Sequence, residues 1–130
     1  MATLGTATDE QRKAHEAVLE VNAKMAEALR PGITCSELYR IGTEAVEAGA
    51  GDLKRFGPPR MGHGQGMLVT EPPSISPDDH TALEAGVVLS TEPGVSVGGV
   101  QLLWEDVHVI TEDGHEQLTL ESSELREISL

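Results

Sequence analysis

Apolar and polar positions along the chain follow two different rhythms. Toward the N-terminus, apolar residues return every three or four positions. Ala14, Ala17, Val18, Val21, Met25, Ala28 and Leu29 share one side of a helical wheel, which predicts a helix over about 8–30. Thr8-Asp9-Glu10-Gln11 reads as a capping box at its start, and Pro31-Gly32 stops it. Thr34-Cys35-Ser36-Glu37 is a second capping box, with Ile33 placed to staple onto Leu38. Leu38, Ile41, Ala45 and Ala48 form the stripe of a second helix over about 34–49, which Gly49 and Gly51 end. Both helices read as scaffold, and Cys35 as a structural or incidental residue of the capping turn.

After Gly57 the texture changes to Gly, Pro and short apolar runs, and a sheet is expected over about 60–120. Met67–Val69 reads as a strand, residues 74–80 as a polar loop, and Gly86–Glu92 as a strand centred on Val87, Val88 and Leu89. Pro93-Gly94 reads as a turn or bulge. Val100–Thr111 is the strongest strand, Asp113-Gly114 a hairpin turn, and Glu116–Leu120 the antiparallel return. The last ten residues are polar and expected to fray. Two helices followed by a run of strands indicate a single α+β domain, with both helices on one face of an antiparallel sheet.

Charge narrows the classes of function. The 130 residues carry a formal net charge of −13. All of the nine Lys and Arg residues except Arg126 lie in Met1–Arg60, while Met61–Leu125 carries twelve acids and no fixed positive charge. Such a surface repels phosphate backbones, so no nucleic-acid partner is expected. No apolar run is long enough for a transmembrane helix, and no basic-then-apolar segment marks a secretory signal. Cys35 is the only cysteine, which excludes an internal disulfide framework and fits a reducing, cytoplasmic setting.

Three short segments carry candidate chemistry: Gly62-His63-Gly64-Gln65-Gly66, Thr91-Glu92-Pro93-Gly94 and Trp104-Glu105-Asp106. Strand alternation puts Leu103, Glu105, Val107 and Val109 on one face. A carboxylate in that apolar row needs compensation, and no Lys or Arg nearby in sequence offers it; a metal ion would. Glu92 ends an apolar strand, and Pro93 holds it extended. His63 sits between glycines, which allow close approach of a ligand or of another strand. One imidazole and two carboxylates make a donor set for a divalent ion such as Mn, Fe, Co or Zn. Each segment also has a plainer reading: Gly-His-Gly alone is a weak signal, a Glu before Pro-Gly is most often an ordinary turn, and Glu105-Asp106 fits a solvated strand edge. His15, His80, His108 and His115 read as ordinary, with His108 on the outer face of its strand.

The ordered segments Met61–Pro73, Leu83–Gly94 and Trp104–Gly114 resemble the C-terminal half of the pita-bread metallopeptidases. That family comprises Xaa-Pro dipeptidases, Xaa-Pro aminopeptidases, methionine aminopeptidases and creatinase. The Xaa-Pro dipeptidase branch is the most similar, and Asp9–Val18 and Leu29–Ile33 resemble it too. The resemblance implies half of a two-part fold, with two helices packed on a curved antiparallel sheet. It also implies a dinuclear metal centre that activates water to hydrolyse peptide bonds. By motif position His63, Glu92 and Glu105 would be metal ligands, Glu92 also the general base, and Glu105 the bridge between two metals.

Three departures from the pattern shape the functional expectation. The family's two aspartate ligands precede its first helix, and here they would fall before residue 1. Thr70 stands where the family usually has a histidine, and a hydroxyl is no acid–base group near neutral pH. Leu103 stands where Xaa-Pro members often carry arginine. The isolated chain is therefore expected to be inactive and to bind metal weakly or not at all. Three readings stay open: a truncated piece of an Xaa-Pro peptidase-like protein acting on peptide substrates; a pseudoenzyme module that binds a peptide or protein partner; and a half that pairs with another chain. A half-domain exposes the sheet face that meets its twin, so self-association or pairing with an N-terminal half is expected.

Overall fold

The computed structural model describes every residue except Ala50, Glu121 and Leu130. A short strand, β1 (Ala2–Leu4), precedes the helices α1 (Asp9–Glu27) and α2 (Cys35–Ala48). Both helices start at complete capping boxes: the Thr8 and Thr34 hydroxyls accept from the Gln11 and Glu37 amides, and those side chains accept from the cap amides in return. Gly49 closes α2. The remaining strands are β2 (Lys54–Arg55), β3 (Gly62–Gly64), β4 (Glu71–Ser74), β5 (Val88–Thr91), β6 (Gly94–Val97), β7 (Val100–Leu103), β8 (Asp106–Ile110), β9 (His115–Gln117) and β10 (Arg126–Ile128).

The strands form a five-stranded antiparallel sheet in the order β4-β3-β5-β8-β9 and a three-stranded antiparallel sheet in the order β2-β6-β7. Two strand pairs cross from one sheet to the other at the same level. β5 is followed by β6, and β7 by β8. The register pairs Thr91 with Asp106 on one side of the crossing and Gly94 with Leu103 on the other. Between them the ladder is interrupted at Glu92-Pro93 and Trp104-Glu105, where the Trp104 amide donates to the Pro93 carbonyl at 3.1 Å.

The core lies between the helices and this surface. Val18, Val21 and Met25 of α1 meet Cys35, Leu38 and Val46 of α2, with Met61, Ile75, Leu83, Leu89, Val95, Trp104 and Ile110 from the sheet side. Each fully buried Met or Leu contributes about 1.5–3 kcal/mol by burial. With only Tyr39, Phe56 and Trp104 as aromatics, aliphatic and Met side chains fill most of this volume.

Several sequence expectations are corrected here. Met67–Val69 is not a strand: its side chains are solvated, and the strand lies a few residues earlier, at Gly62–Gly64, where glycine hides the signal. Val100–Thr111 is two strands in two sheets, because the chain turns at Trp104-Glu105. Residues 74–80 are not wholly a loop, since Ser74 ends β4 and Ile75 is buried in the core. Gly94 opens a strand rather than only a turn. In α2, Val46 and Gly42 face inward and Ala48 is exposed. The C-terminal segment is not frayed throughout: β10 pairs in parallel with β1, although Glu121 and Leu130 lie outside the described residues.

Candidate metal centre

Strand register decides what faces the site. His63 of β3, Ser90 of β5 and Val107 of β8 lie side by side, so their side chains share one face. Two residues beyond Ser90, alternation places Glu92 on that face; two residues before Val107 it places Glu105 there. The neighbouring row Gly62–Thr91–Asp106 and the row Gly64–Leu89–His108 turn the other way, toward the helices. Glu92 is anchored by its own amide, which donates to the Met61 carbonyl at 2.7 Å.

The structure brings three of the four named site residues together. His63 Nε2 lies 3.8 Å from Glu92 Oε2 and 3.9 Å from Glu105 Oε1. The imidazole is nearly buried, the Glu92 side chain is 21% exposed and the Glu105 side chain 44%. Glu105 is therefore half in solvent, and the expected cost of burying it in an apolar row does not arise. The buried row of this segment is the alternate one, Trp104, Asp106, His108 and Ile110, and Leu103 is exposed. His108 is accordingly an inward-facing residue and not an outer one. Burial, with the adjacent His115, pushes its imidazole down to about 4.

The fourth named residue, Thr70, is exposed on the loop between β3 and β4, and among the described residues its side chain forms no hydrogen bond with His63, Glu92 or Glu105. Gln65 is a member of the site that sequence reasoning did not single out. Its amide donates to Glu105 Oε1 at 3.3 Å. The signal was available, because Gln65 lies two residues beyond His63 and so on the same strand face. Glu105 also borders an open cleft of about 490 Å³, walled by Gln65, Val69, Leu103, Trp104 and Val107.

The donor chemistry suits a borderline-to-hard divalent ion. His63 Nδ1 lies 3.1 Å from the Gly64 carbonyl, which satisfies that nitrogen as a donor and leaves Nε2 free toward the carboxylates. Among the described residues no Lys or Arg pairs with Glu92 or Glu105. Also among the described residues, no group of three or more His, Cys, Asp or Glu side chains is close enough as it stands to hold a metal ion. His63, Glu92 and Glu105 carry donor types that suit such an ion, without forming a closed site of their own among the described residues.

Two capped helices on a bent antiparallel surface, with an imidazole and two carboxylates gathered at the bend, are the architecture of a pita-bread metallopeptidase half. Residues 1–112 match the family model of metallopeptidase family M24, and the chain belongs to that family. It is 39% identical over 126 residues to the Xaa-Pro dipeptidase of Pyrococcus furiosus, covering 94% of this chain and 35% of the relative. Among solved structures it is similar to the X-Pro aminopeptidase of Thermotoga maritima, with a TM-score of 0.85 and 28% identity over 98% of this chain and 36% of that one. The prolidase of Pyrococcus furiosus gives a TM-score of 0.79 and 37% identity over 91% of this chain and 35% of that one. The chain thus spans about a third of the length of the curated relatives it matches. Among the described residues no helix is long and apolar enough to cross a membrane.

Proposed function

We propose that these residues form the C-terminal, metal-ligating half of an Xaa-Pro dipeptidase-like catalytic domain. His63, Glu92 and Glu105 would be ligands, with donors from outside these residues completing the centre. The observation that carries this reading is the convergence of the three side chains, in the order of the family's motifs, with His63 Nε2 within 3.9 Å of both carboxylates. When bound, a divalent metal pair supplies an activated water and polarises the scissile carbonyl. Glu92, the less exposed carboxylate, would serve as the general base, and Glu105, which accepts from the Gln65 amide, would be the bridging carboxylate ligand. The cleft beside Glu105 offers room for a short peptide.

The chain by itself is proposed to be inactive on Xaa-Pro dipeptides. Its donor set is open, and Thr70 brings no acid–base group. The test is hydrolysis of an Xaa-Pro dipeptide by the chain with added Mn²⁺ or Co²⁺. No turnover is expected, and turnover that disappears in Glu92→Gln would overturn the reading. The second reading is a non-catalytic module that binds a peptide or protein partner. It is favoured by the solvated apolar tip Met67-Leu68-Val69 beside the same cleft.

A further inference from the structure

Glu92 and Glu105 sit where the ladder between their own strands is interrupted, and of the two only Glu92 keeps a backbone bond among the described residues, from its amide to the Met61 carbonyl. Directly behind them, on the helix side, lies a buried polar network. Asp106 follows Glu105 and is 7% exposed; Thr91 precedes Glu92 and is 0% exposed; Asn22 of α1 is 5% exposed. Asp106 and Thr91 are register partners across β8 and β5. Asn22 joins them: its amide donates to Asp106 Oδ2 at 2.7 Å, and its oxygen accepts from the Thr91 hydroxyl at 2.6 Å.

Asp106 accepts three further bonds. Trp104 Nε1 donates to Oδ2 at 2.8 Å, and Gln117 Nε2 and the Thr119 hydroxyl donate to Oδ1 at 2.9 and 2.7 Å. No cation pairs with this carboxylate among the described residues; its compensation is wholly by hydrogen bonds. For packing alone, apolar side chains of the same shape would serve as well or better. What the polar version adds is direction, because each bond tolerates only a narrow range of angles.

We propose that Asp106, Asn22 and Thr91 are positioning residues that set the orientation of Glu92 and Glu105 for metal binding, an inference that rests on the ligand roles proposed above. Successive strand side chains point to opposite faces, so turning the backbone at Thr91 or Asp106 swings the adjacent carboxylate. α1, through Asn22, grips both strands at the residues next to the two ligands. Loss of one member would loosen one carboxylate relative to the other and to His63.

The test titrates the ¹⁵N-labelled chain with Mn²⁺ and follows paramagnetic broadening of the Gly62–Gly64 and Glu92 amides, with thermal unfolding measured alongside. Thr91→Val and Asp106→Asn are each expected to weaken apparent Mn²⁺ binding about tenfold or more, at a temperature where both are folded. Thr91→Ser, which keeps the hydroxyl, is expected to stay within about twofold of wild type. If Asp106→Asn does not fold, the Thr91→Val and Thr91→Ser pair decides. Unchanged Mn²⁺ binding in variants whose melting temperature falls would overturn the positioning role and leave the ligand assignment standing. Broadening that persists when Glu92 and Glu105 are both Gln would overturn the ligand assignment and this inference with it; with no broadening in wild type, Glu92 and Glu105 amide shifts that are the same in Thr91→Val as in Thr91→Ser would overturn the positioning role.

Discussion

Gly64→Ala perturbs the backbone approach that holds His63 between two strands. A Cβ at Gly64 would lie 2.8 Å from the Pro72 carbonyl carbon and 3.0 Å from the Glu71 oxygen, and closer still to the Pro72 oxygen. These are backbone atoms of β4 and its approach, so no side chain can swing aside and a strand must move. The β3–β4 register already shifts between His63 and Gly64, so the ladder is irregular at the point where the added Cβ would press on it. Overpacking of this kind costs about 1–3 kcal/mol, and the stiffer unfolded chain returns less than about 1 kcal/mol, so a net loss of about 2 kcal/mol is expected. Over 130 residues the unfolding entropy is about 0.27 kcal/mol/K, and that loss lowers the melting temperature by about 7 °C. Gly114→Ala is the control, since a Cβ there would meet nothing within 4 Å. It should change stability by less than about 0.5 kcal/mol. Urea unfolding reads the effect as a lower midpoint at unchanged slope. A Gly64→Ala chain as stable as Gly114→Ala would refute the claim that close approach, and not mere turn flexibility, demands glycine beside His63.

Two further predictions concern buried groups. His108 is held down to about 4, first by burial and then by the nearby His115, with Asp106 opposing. The unfolded chain takes up this proton near 6.5 and the folded chain does not, so stability is complete above about pH 6.5 and is lost as pH falls toward 4. His108→Leu should flatten the decline of the urea midpoint across that window; an unchanged slope would show that other groups set it. Cys35 is buried, and burial followed by the Asp79 carboxylate pushes its thiol up to about 12. Native chain should resist iodoacetamide at pH 8 and react fully in denaturant, whereas rapid native labelling would contradict this placement.

Features governed by near neighbours in sequence were legible. Both capping boxes, the inward stripe of α1 and the Asp113-Gly114 turn depend on residues a few positions apart, and the structure shows all of them. The family motifs were legible for a related reason: His63, Glu92 and Glu105 each stand in a distinctive local string. Strand limits were harder. Gly62–Gly64 has no apolar pattern, and Met67–Val69 has one without being a strand. Alternation in Val100–Thr111 was real, yet it could not say which phase faced the helices, because Leu103, Val107 and Val109 are as apolar as Leu102 and Ile110.

By itself, then, the amino-acid order determined the two helices, the α+β class and three candidate donor residues in separate segments of the chain. Only the tertiary structure decided that the long strand breaks at Trp104-Glu105, that His108 is buried while Glu105 reaches solvent, and that Thr70 stands apart on an exposed loop. It alone joined Asn22 to Asp106 across 84 residues of chain. The physical reason is range. Caps, turns and helical stripes are settled within about one or two turns of backbone. The phase of a strand and the partner of a buried polar group are settled by whatever the rest of the chain packs against them.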